Sequence, residues 1–379
     1  MRYYLIAGEA SGDLHGAHLI RHLRQEDPEA DIRAWGGDLM SEAGAEVVKH
    51  YRDLAFMGFW EVLKNLRTIM ANFRFCKADI LAWQPDVLIL IDYPGFNLRM
   101  AKWAKSMGIR VFYYISPQLW AWHSSRVHGI KATVERMFVI LPFEEEFYQK
   151  YDYKVDFVGH PLLDVVDEFV PPADFRAANG LDERPIVALL PGSRRQEIAR
   201  MLEVMLQTAA RFPDYQFVIA GAPSIPRSFY DDIIRSSGVS GVHWTGNQTY
   251  ALLSQARAAL VTSGTATLET ALFGVPQTVC YRGSSICFFI ARRLVNVKYI
   301  SLVNLIADRP LVRELIQHQL HPDSLSEQLR LLLDDDHTRQ LREGYRELRL
   351  RLGERGAAQK AARGMVRALG WKNELLENP

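Results

Sequence analysis

Leu189-Leu190-Pro191-Gly192-Ser193-Arg194 closes an apolar run that begins at Pro185 and opens onto a helical pattern from Arg195. A buried strand, a Pro-Gly-Ser turn and then a helix form the joint of an α/β unit. The first backbone N–H groups of such a helix have no intrahelical acceptor, and the helix dipole adds positive potential, so the joint is suited to an anion. Arg194 adds a planar fork of donors that matches phosphate. The stretch lies at the middle of the chain, where a second α/β domain would begin.

The pattern on either side agrees with that placement. Upstream, strands are expected at Arg2–Ala7, Ile32–Trp35, Asp86–Ile91, Arg110–Ile115, Arg136–Ile140 and Val155–Val158. Helices are expected at Gly12–Gln25, near Asp38–Ala43, over roughly Glu61–Trp83, and at Gly95–Ser106 and Phe143–Tyr151. His160–Asp174, with Pro161, Pro171 and Pro172, reads as a linker. Downstream of the joint the alternation resumes, with strands at Gln216–Ala220, Val242–Trp244, Ala258–Thr262 and Gln277–Cys280. Helices there are expected from Arg195 to about Arg211 and at Arg227–Ser236, Thr249–Gln255 and Ala266–Phe273. After Asn304 the chain reads as helical throughout: Leu311–Leu315, Ser324–Leu333, His337–Leu350 and Gly356–Leu369. Strand and helix in alternation imply parallel sheets covered on both faces. The expected domains are 1–165, 166–350 and a C-terminal helix in 351–379, packing back on the first domain or on a partner.

Composition limits the function classes. The chain has 379 residues, a formal net charge of +1, 48% hydrophobic and 23% charged residues, which suits a globular protein of two domains. Near-neutral charge argues against nucleic acid as a partner. Met1–Ala7 is too short for a signal peptide, and no apolar run reaches the roughly 18 residues of a spanning helix. Cys76, Cys280 and Cys287 are few and contain no C-x-x-C, as expected for reduced thiols in the cytoplasm. His318 and His321 stand one helical turn apart without a third ligand nearby, so no zinc site is expected.

Ligands of such sheets bind beyond the carboxyl ends of the strands, and four stretches there carry chemistry. Gly8-Glu9-Ala10-Ser11-Gly12-Asp13 follows the first strand; Glu9, Ser11 and Asp13 either cap the helix or face a ligand. Asp92, in Asp92-Tyr93-Pro94-Gly95-Phe96-Asn97, either caps a helix or lies over a cleft, where partial burial would suit it to proton abstraction. Ser116-Pro117-Gln118-Leu119-Trp120-Ala121-Trp122-His123 offers aromatic faces to a sugar, or packs its Trp residues against the domain. Thr262-Ser263-Gly264-Thr265-Ala266-Thr267-Leu268-Glu269 is either an ordinary helix N-terminus with a capping Ser or Thr or a second anion nest, with Glu269 able to accept hydrogen bonds from the vicinal hydroxyls of a ribose. Two nests and a ribose-type acid in one domain describe a nucleoside diphosphate site. Phe56, Met57, Phe59 and Trp60 with Lys64, Arg67, Arg74 and Lys77 form a greasy, basic surface. Ile286, Phe288, Phe289 and Leu294 with Arg292, Arg293 and Lys298 form a second. Such surfaces serve core packing with snorkelling cations, or a lipid interface.

Taken in order, these motifs resemble the lipid-A-disaccharide synthase family: Gly8-Glu9-Ala10-Ser11-Gly12-Asp13, Met57-Gly58, Asp92 with Pro94 and Phe96-Asn97, Ser116-Pro117 with Trp120-Ala121-Trp122, Leu141-Pro142-Phe143-Glu144, Gly159-His160-Pro161, Leu190–Arg194, Ser263-Gly264-Thr265 with Glu269, Tyr281-Arg282, Ser301-Leu302 and Asn304-Leu305. The resemblance runs from the first strand to the last helices. It implies a GT-B glycosyltransferase with two Rossmann-like domains, its active site in the cleft between them. It implies inverting transfer from UDP-2,3-diacylglucosamine to 2,3-diacylglucosamine 1-phosphate (lipid X), giving a β(1→6) disaccharide 1-phosphate and UDP. It further implies a peripheral homodimer on the cytoplasmic face of the inner membrane, with C-terminal segments exchanged, and no metal or cofactor. By position, Asp92 would be the base, Glu9 and Ser11 would face the reacting sugars, and Asn304 matches a position important in the family. Gly192, Ser193, Arg194, Gly264, Thr265 and Ala266 would hold the diphosphate, Glu269 the ribose, with Tyr281, Arg282 and Trp120 also in the substrate site. Gly95 departs from the expected pattern, since some relatives would carry a second acid there. The rival readings are a UDP-N-acetylglucosamine 2-epimerase-like enzyme, which needs no greasy surfaces, and a non-catalytic nucleotide-binding protein at the membrane, which needs no base.

Overall fold

Residues 1–53, 66–122, 124–284 and 297–370 are described by a computed structural model. They form two compact units: Met1–Pro161 together with the chain from Gly353 on, and Leu162–Leu352. Phe56, Met57, Phe59, Trp60, His123, Cys287 and the second greasy surface apart from Lys298 lie outside the described residues.

In the first unit, β1 (Arg2–Ala7), β2 (Asp31–Gly36), β3 (Glu46–His50), β4 (Val87–Ile91), β5 (Arg110–Tyr114), β6 (Arg136–Val139) and β7 (Asp156–Phe157) make one parallel sheet, ordered β3-β2-β1-β4-β5-β6-β7. Its central strands are apolar on both faces because both are covered. Tyr3, Leu5 and Ala7 of β1 pack with Leu19, Ile20 and Leu23 of the helix Ala10–Glu26 and with Ala361, Ala362 and Met365 of the helix Ala357–Ala368. Tyr4 and Ile6 point the other way, toward Phe73, Cys76 and Ile80 of the helix Leu66–Trp83 and Met100 and Ala104 of the helix Pro94–Ser106.

The second unit contains β8 (Ile186–Leu190), β9 (Gln216–Gly221), β10 (Val242–Gly246), β11 (Ala256–Thr262), β12 (Gln277–Tyr281) and β13 (Arg313–Ile316), again parallel, ordered β10-β9-β8-β11-β12-β13. Both sheets follow the doubly wound plan expected from the alternation.

Several segments differ from the sequence reading, among them the unexpected short helices Val127–Thr133 and Phe175–Ala178. Leu311–Leu315 is not helical: β13 pairs with β12, Thr278 opposite Arg313 and Cys280 opposite Leu315. Arg-Glu-Leu is good helix composition, but an edge position overrides that preference. β3 was not expected, since Glu46-Val47-Val48-Lys49-His50 is a half-exposed edge with charged ends. The Pro-rich linker contains a helix, Leu162–Glu168, which buries Leu162 and Leu163.

The helix Ala357–Ala368 docks through alanines, and Ala361 is fully buried. Ala361→Leu is expected to overpack that contact and cost about 1–3 kcal/mol, read as a lowered urea midpoint of the transition that reports the first unit.

Candidate functional site

Each sheet reverses its strand order once, between β1 and β4 and between β8 and β11. Ligand crevices of open α/β sheets lie beyond the carboxyl ends of strands at such reversals. Ala7 pairs with Ile91, so Gly8-Glu9 and Asp92 leave the first sheet side by side. Val261 pairs with Leu190, so Ser263-Gly264 and Pro191-Gly192 do the same in the second. The stretches singled out by sequence therefore flank the reversal points of the two units.

In the first unit the backbone turns sharply at Asp92 and Tyr93, which take φ values of 43° and 49°. Consecutive left-handed residues with side chains are costly, and the surroundings hold them. Asp92 N–H donates to the Tyr114 carbonyl at 3.1 Å. The Asp92 carbonyl accepts from Asn97 Nδ2 at 2.7 Å and from the Tyr113 hydroxyl at 2.5 Å. Asn97 Nδ2 also lies 3.2 Å from the Ile91 carbonyl and 3.4 Å from that of Ile6, joining β1 to β4. The Tyr93 ring lies against Gly8, where a Cβ would fall 2.3 Å from the ring, so glycine is required there. The Asp92 carboxyl is raised to about 6, first by burial and then by the like charge of Glu9, with the Tyr93 amide pulling it back. A carboxylate poised near that value is a competent general base at neutral pH.

The neighbouring predicted residues divide by environment. Glu9 and Ser11 are exposed at the start of the helix Ala10–Glu26, and neither caps it. Asp13 is buried and accepts from the amides of Gly37, Leu39 and Met40 at 2.7, 3.2 and 3.1 Å, so it anchors the helix Asp38–Glu42 and is structural. Gly95 is exposed, with nothing within 4 Å of a Cβ. Trp120 is half-buried and packs edge-on against Phe143, centroids 4.9 Å apart, whereas Trp122 is 54% exposed. Glu144 is fully enclosed, accepting from the Leu141 and Ile140 amides at 2.9 and 3.2 Å, and burial lifts its carboxyl to about 7. Asn97, Tyr113 and Glu144 were not chosen as site residues from sequence; Asn97 and Tyr113 offer a polar group inside an apolar pattern, whereas Glu144 is masked by the acidic run Glu144-Glu145-Glu146.

In the second unit Gly192 has φ 120°, a conformation open to glycine. Ser193 N–H reaches Glu197 Oε2 at 3.4 Å, and the exposed Arg194 donates to Glu197 Oε1 at 3.0 Å. The second nest opens the helix Thr265–Leu272, with Gly264 and Thr265 exposed and Ala266 half-buried. Ser263 Oγ donates to the Ile300 carbonyl at 2.7 Å, which fixes the entry to that nest. Glu269 Oε1 accepts from the Tyr250 hydroxyl at 2.8 Å; burial raises its carboxyl and the phenol lowers it. Tyr281 ends β12 half-buried, and the Arg282 guanidinium donates to the Leu320 carbonyl.

Asn304 is placed differently from a residue that touches substrate. It is buried, its Nδ2 donates to the Val312 carbonyl at 2.9 Å and to Glu314 Oε1 at 3.0 Å, and its Oδ1 accepts from Val312 N–H at 2.9 Å. Its amide is committed to docking β13, which makes it a positioning residue.

Comparison with known proteins agrees with this geometry. A model of the lipid-A-disaccharide synthetase family matches residues 3–366. The lipid-A-disaccharide synthase of Trichlorobacter lovleyi is 41% identical over 371 residues, covering 96% of each chain. Among solved structures, the UDP-GlcNAc 2-epimerase from Neisseria meningitidis bound to UDP-GlcNAc superposes with a TM-score of 0.65 at 14% identity, covering 97% of this chain and 99% of that one. The glycotransferase of kitacinnamycin gives a TM-score of 0.62 at 15% identity, covering 97% and 98%. At those identities the likeness is one of fold, the GT-B arrangement of two Rossmann-like sheets.

Because folding raises the Asp92 carboxyl from 3.8 to about 6, the folded state binds that proton more tightly than the unfolded chain. The corresponding stability is complete below about pH 4 and lost as pH rises through about 6. Asp92→Asn is therefore expected to melt at a higher temperature than the parent at pH 8, with the gap closing by pH 4, as followed by calorimetry.

Proposed function

The chain belongs to the lipid-A-disaccharide synthase family of glycosyltransferases, and on that premise we propose that it joins UDP-2,3-diacylglucosamine to 2,3-diacylglucosamine 1-phosphate. The observation that carries the reading is the placement of Asp92 at the reversal point of one sheet and of two anion nests at that of the other. Asp92 removes the proton of the acceptor 6-hydroxyl. The oxygen forms a bond to the anomeric carbon from the face opposite UDP, the bond from that carbon to the diphosphate oxygen breaks, and the configuration inverts to β(1→6). The electron pair leaves with UDP. Charge growing on the diphosphate is met by Arg194, by the backbone of Gly192 and Ser193, and by the helix start at Gly264, Thr265 and Ala266; fixed donors of this kind stabilise a leaving group without a metal.

The remaining roles follow from position. Glu269 takes the ribose hydroxyls. Glu9 and Ser11, exposed beside Asp92, face the sugars. Glu9 also keeps the Asp92 carboxyl basic by its charge. Tyr281 and Arg282 border the nucleotide, and Trp120 backs the loop that presents Trp122. Acylated substrates call for a lipid surface, and no helix among the described residues is long and apolar enough to cross a membrane. The helix Leu66–Trp83 exposes Met70, Phe75 and Leu81 beside Arg74 and Lys77, a mixture that suits peripheral contact with the cytoplasmic face of the inner membrane. The homodimer with exchanged C-terminal segments belongs to the same reading.

Incubating the protein with the two substrates should yield the tetraacyl disaccharide 1-phosphate and UDP, detected by mass spectrometry. Asp92→Asn should lower turnover by about 10²–10⁴ while leaving UDP affinity intact. Undiminished turnover would remove Asp92 from the base role.

A further inference from the structure

Glu269 does not stand alone, and the group that holds it lies outside the chemistry-bearing stretches named above. The helix Thr249–Gln255 carries Tyr250 at its second position, and its hydroxyl donates to Glu269 Oε1 at 2.8 Å. The phenol ring is itself fixed. Phe169 meets it edge-on, centroids 5.7 Å apart at 85°, and Phe273 lies 5.2 Å away at 48°. Phe169 and Phe273 in turn touch at 5.8 Å. Phe273 directly follows the helix that bears Glu269, and Phe169 directly follows the helix Leu162–Glu168. Three rings from three elements thus aim one hydroxyl at one carboxylate.

A buried carboxyl without a donor favours its neutral form. That form spends one oxygen as an O–H and accepts poorly from a sugar hydroxyl. A phenol donating to Oε1 favours the ionised form, uses a single lone-pair site and fixes the plane of the carboxylate. The vicinal hydroxyls of a ribose are donors that need such an oriented acceptor. The Tyr250 hydroxyl is held above its usual value by burial and by Glu269, so it stays a donor throughout the working range.

We propose that Tyr250 is the positioning residue for ribose recognition: by fixing the orientation of the Glu269 carboxylate, it sets the preference of the second unit for a nucleotide with intact 2′- and 3′-hydroxyls. The proposal rests on the reading of Glu269 as the ribose ligand. A purely structural Tyr250 would act on every nucleotide alike.

The test is calorimetric titration of the full chain with UDP and with 2′,3′-dideoxy-UDP. The parent is expected to bind UDP at least about tenfold more tightly, the scale of one good hydrogen bond to a charged group. Tyr250→Phe keeps the ring and its packing; it should lose most of that ratio while its affinity for dideoxy-UDP stays as in the parent. Glu269→Gln should reproduce the loss, and the double variant should add nothing. An equal loss for both nucleotides in Tyr250→Phe, or an unchanged ratio, would overturn the proposal. A parent that binds both nucleotides equally would instead remove Glu269 from ribose recognition, and this proposal with it. A parent that binds neither would count against the nucleotide site as a whole.

Discussion

The pairing of β1 with β4 and of β8 with β11 is the constraint on which the placement of the candidate site residues depends. Parallel neighbours cannot be joined by a tight turn; each needs a crossover, and crossovers are right-handed. While the strand order runs one way, successive crossovers cover one face of the sheet. Where it reverses, the next crossover must cover the other face. The two helices that follow the central strands then diverge, and the carboxyl ends between them stay uncovered. Gly8-Glu9 with Asp92, and Pro191–Arg194 with Ser263–Ala266, occupy those uncovered ends. Nothing about the residues themselves would put them there; the strand order does.

An uncovered strand end still has to be made rigid. At Asp92 the chain takes two successive left-handed residues, an arrangement that persists only where neighbours over-determine it. One buried side chain, Asn97, bonds to carbonyls on β1, on β4 and at Asp92 itself, and Tyr113 reaches in from β5. Gly8 then admits the Tyr93 ring. The second unit spends less on its turn. Gly192 adopts φ 120° as glycines can, and Glu197 reaches back from the first turn of the following helix to Ser193 and Arg194.

Most of this layout was legible because the central strands are long apolar runs bounded by Gly, Pro or Ser, and because chemistry-bearing residues followed them directly. What escaped did so for physical reasons. β13 looks helical in isolation and becomes a strand through β12 and through Asn304, whose amide grips Val312 at both its N–H and its carbonyl. Asn304 itself invites a catalytic reading from its place in a motif, yet its hydrogen-bonding capacity is committed to that grip. The Trp pair of the β5 loop could not be divided by sequence, because which indole faces inward depends on Phe143 from a later helix. Tyr250 left no signal at all, since its importance lies in a hydroxyl meeting a carboxylate nineteen residues away.

The acids offer a way to tell scaffold from chemistry that sequence lacks. Asp13 accepts from the amides of Gly37, Leu39 and Met40, and Glu314 from the Ile300 and Ser301 amides, the Ser301 hydroxyl and Asn304. Such carboxylates are fully compensated, and proton transfer or a new ligand would break more than it makes. Glu144 takes two amides but is closed off from solvent. Glu269 has a single phenol. Asp92 has the Tyr93 amide and, against it, the like charge of Glu9. Asp13 and Glu314 receive three or more donors, Glu144 two, and Glu269 and Asp92 one each, so the last two carboxylates keep the most capacity for a partner from outside. Of these five, Glu269 and Asp92 keep the most capacity, and both follow strands that border a strand-order reversal.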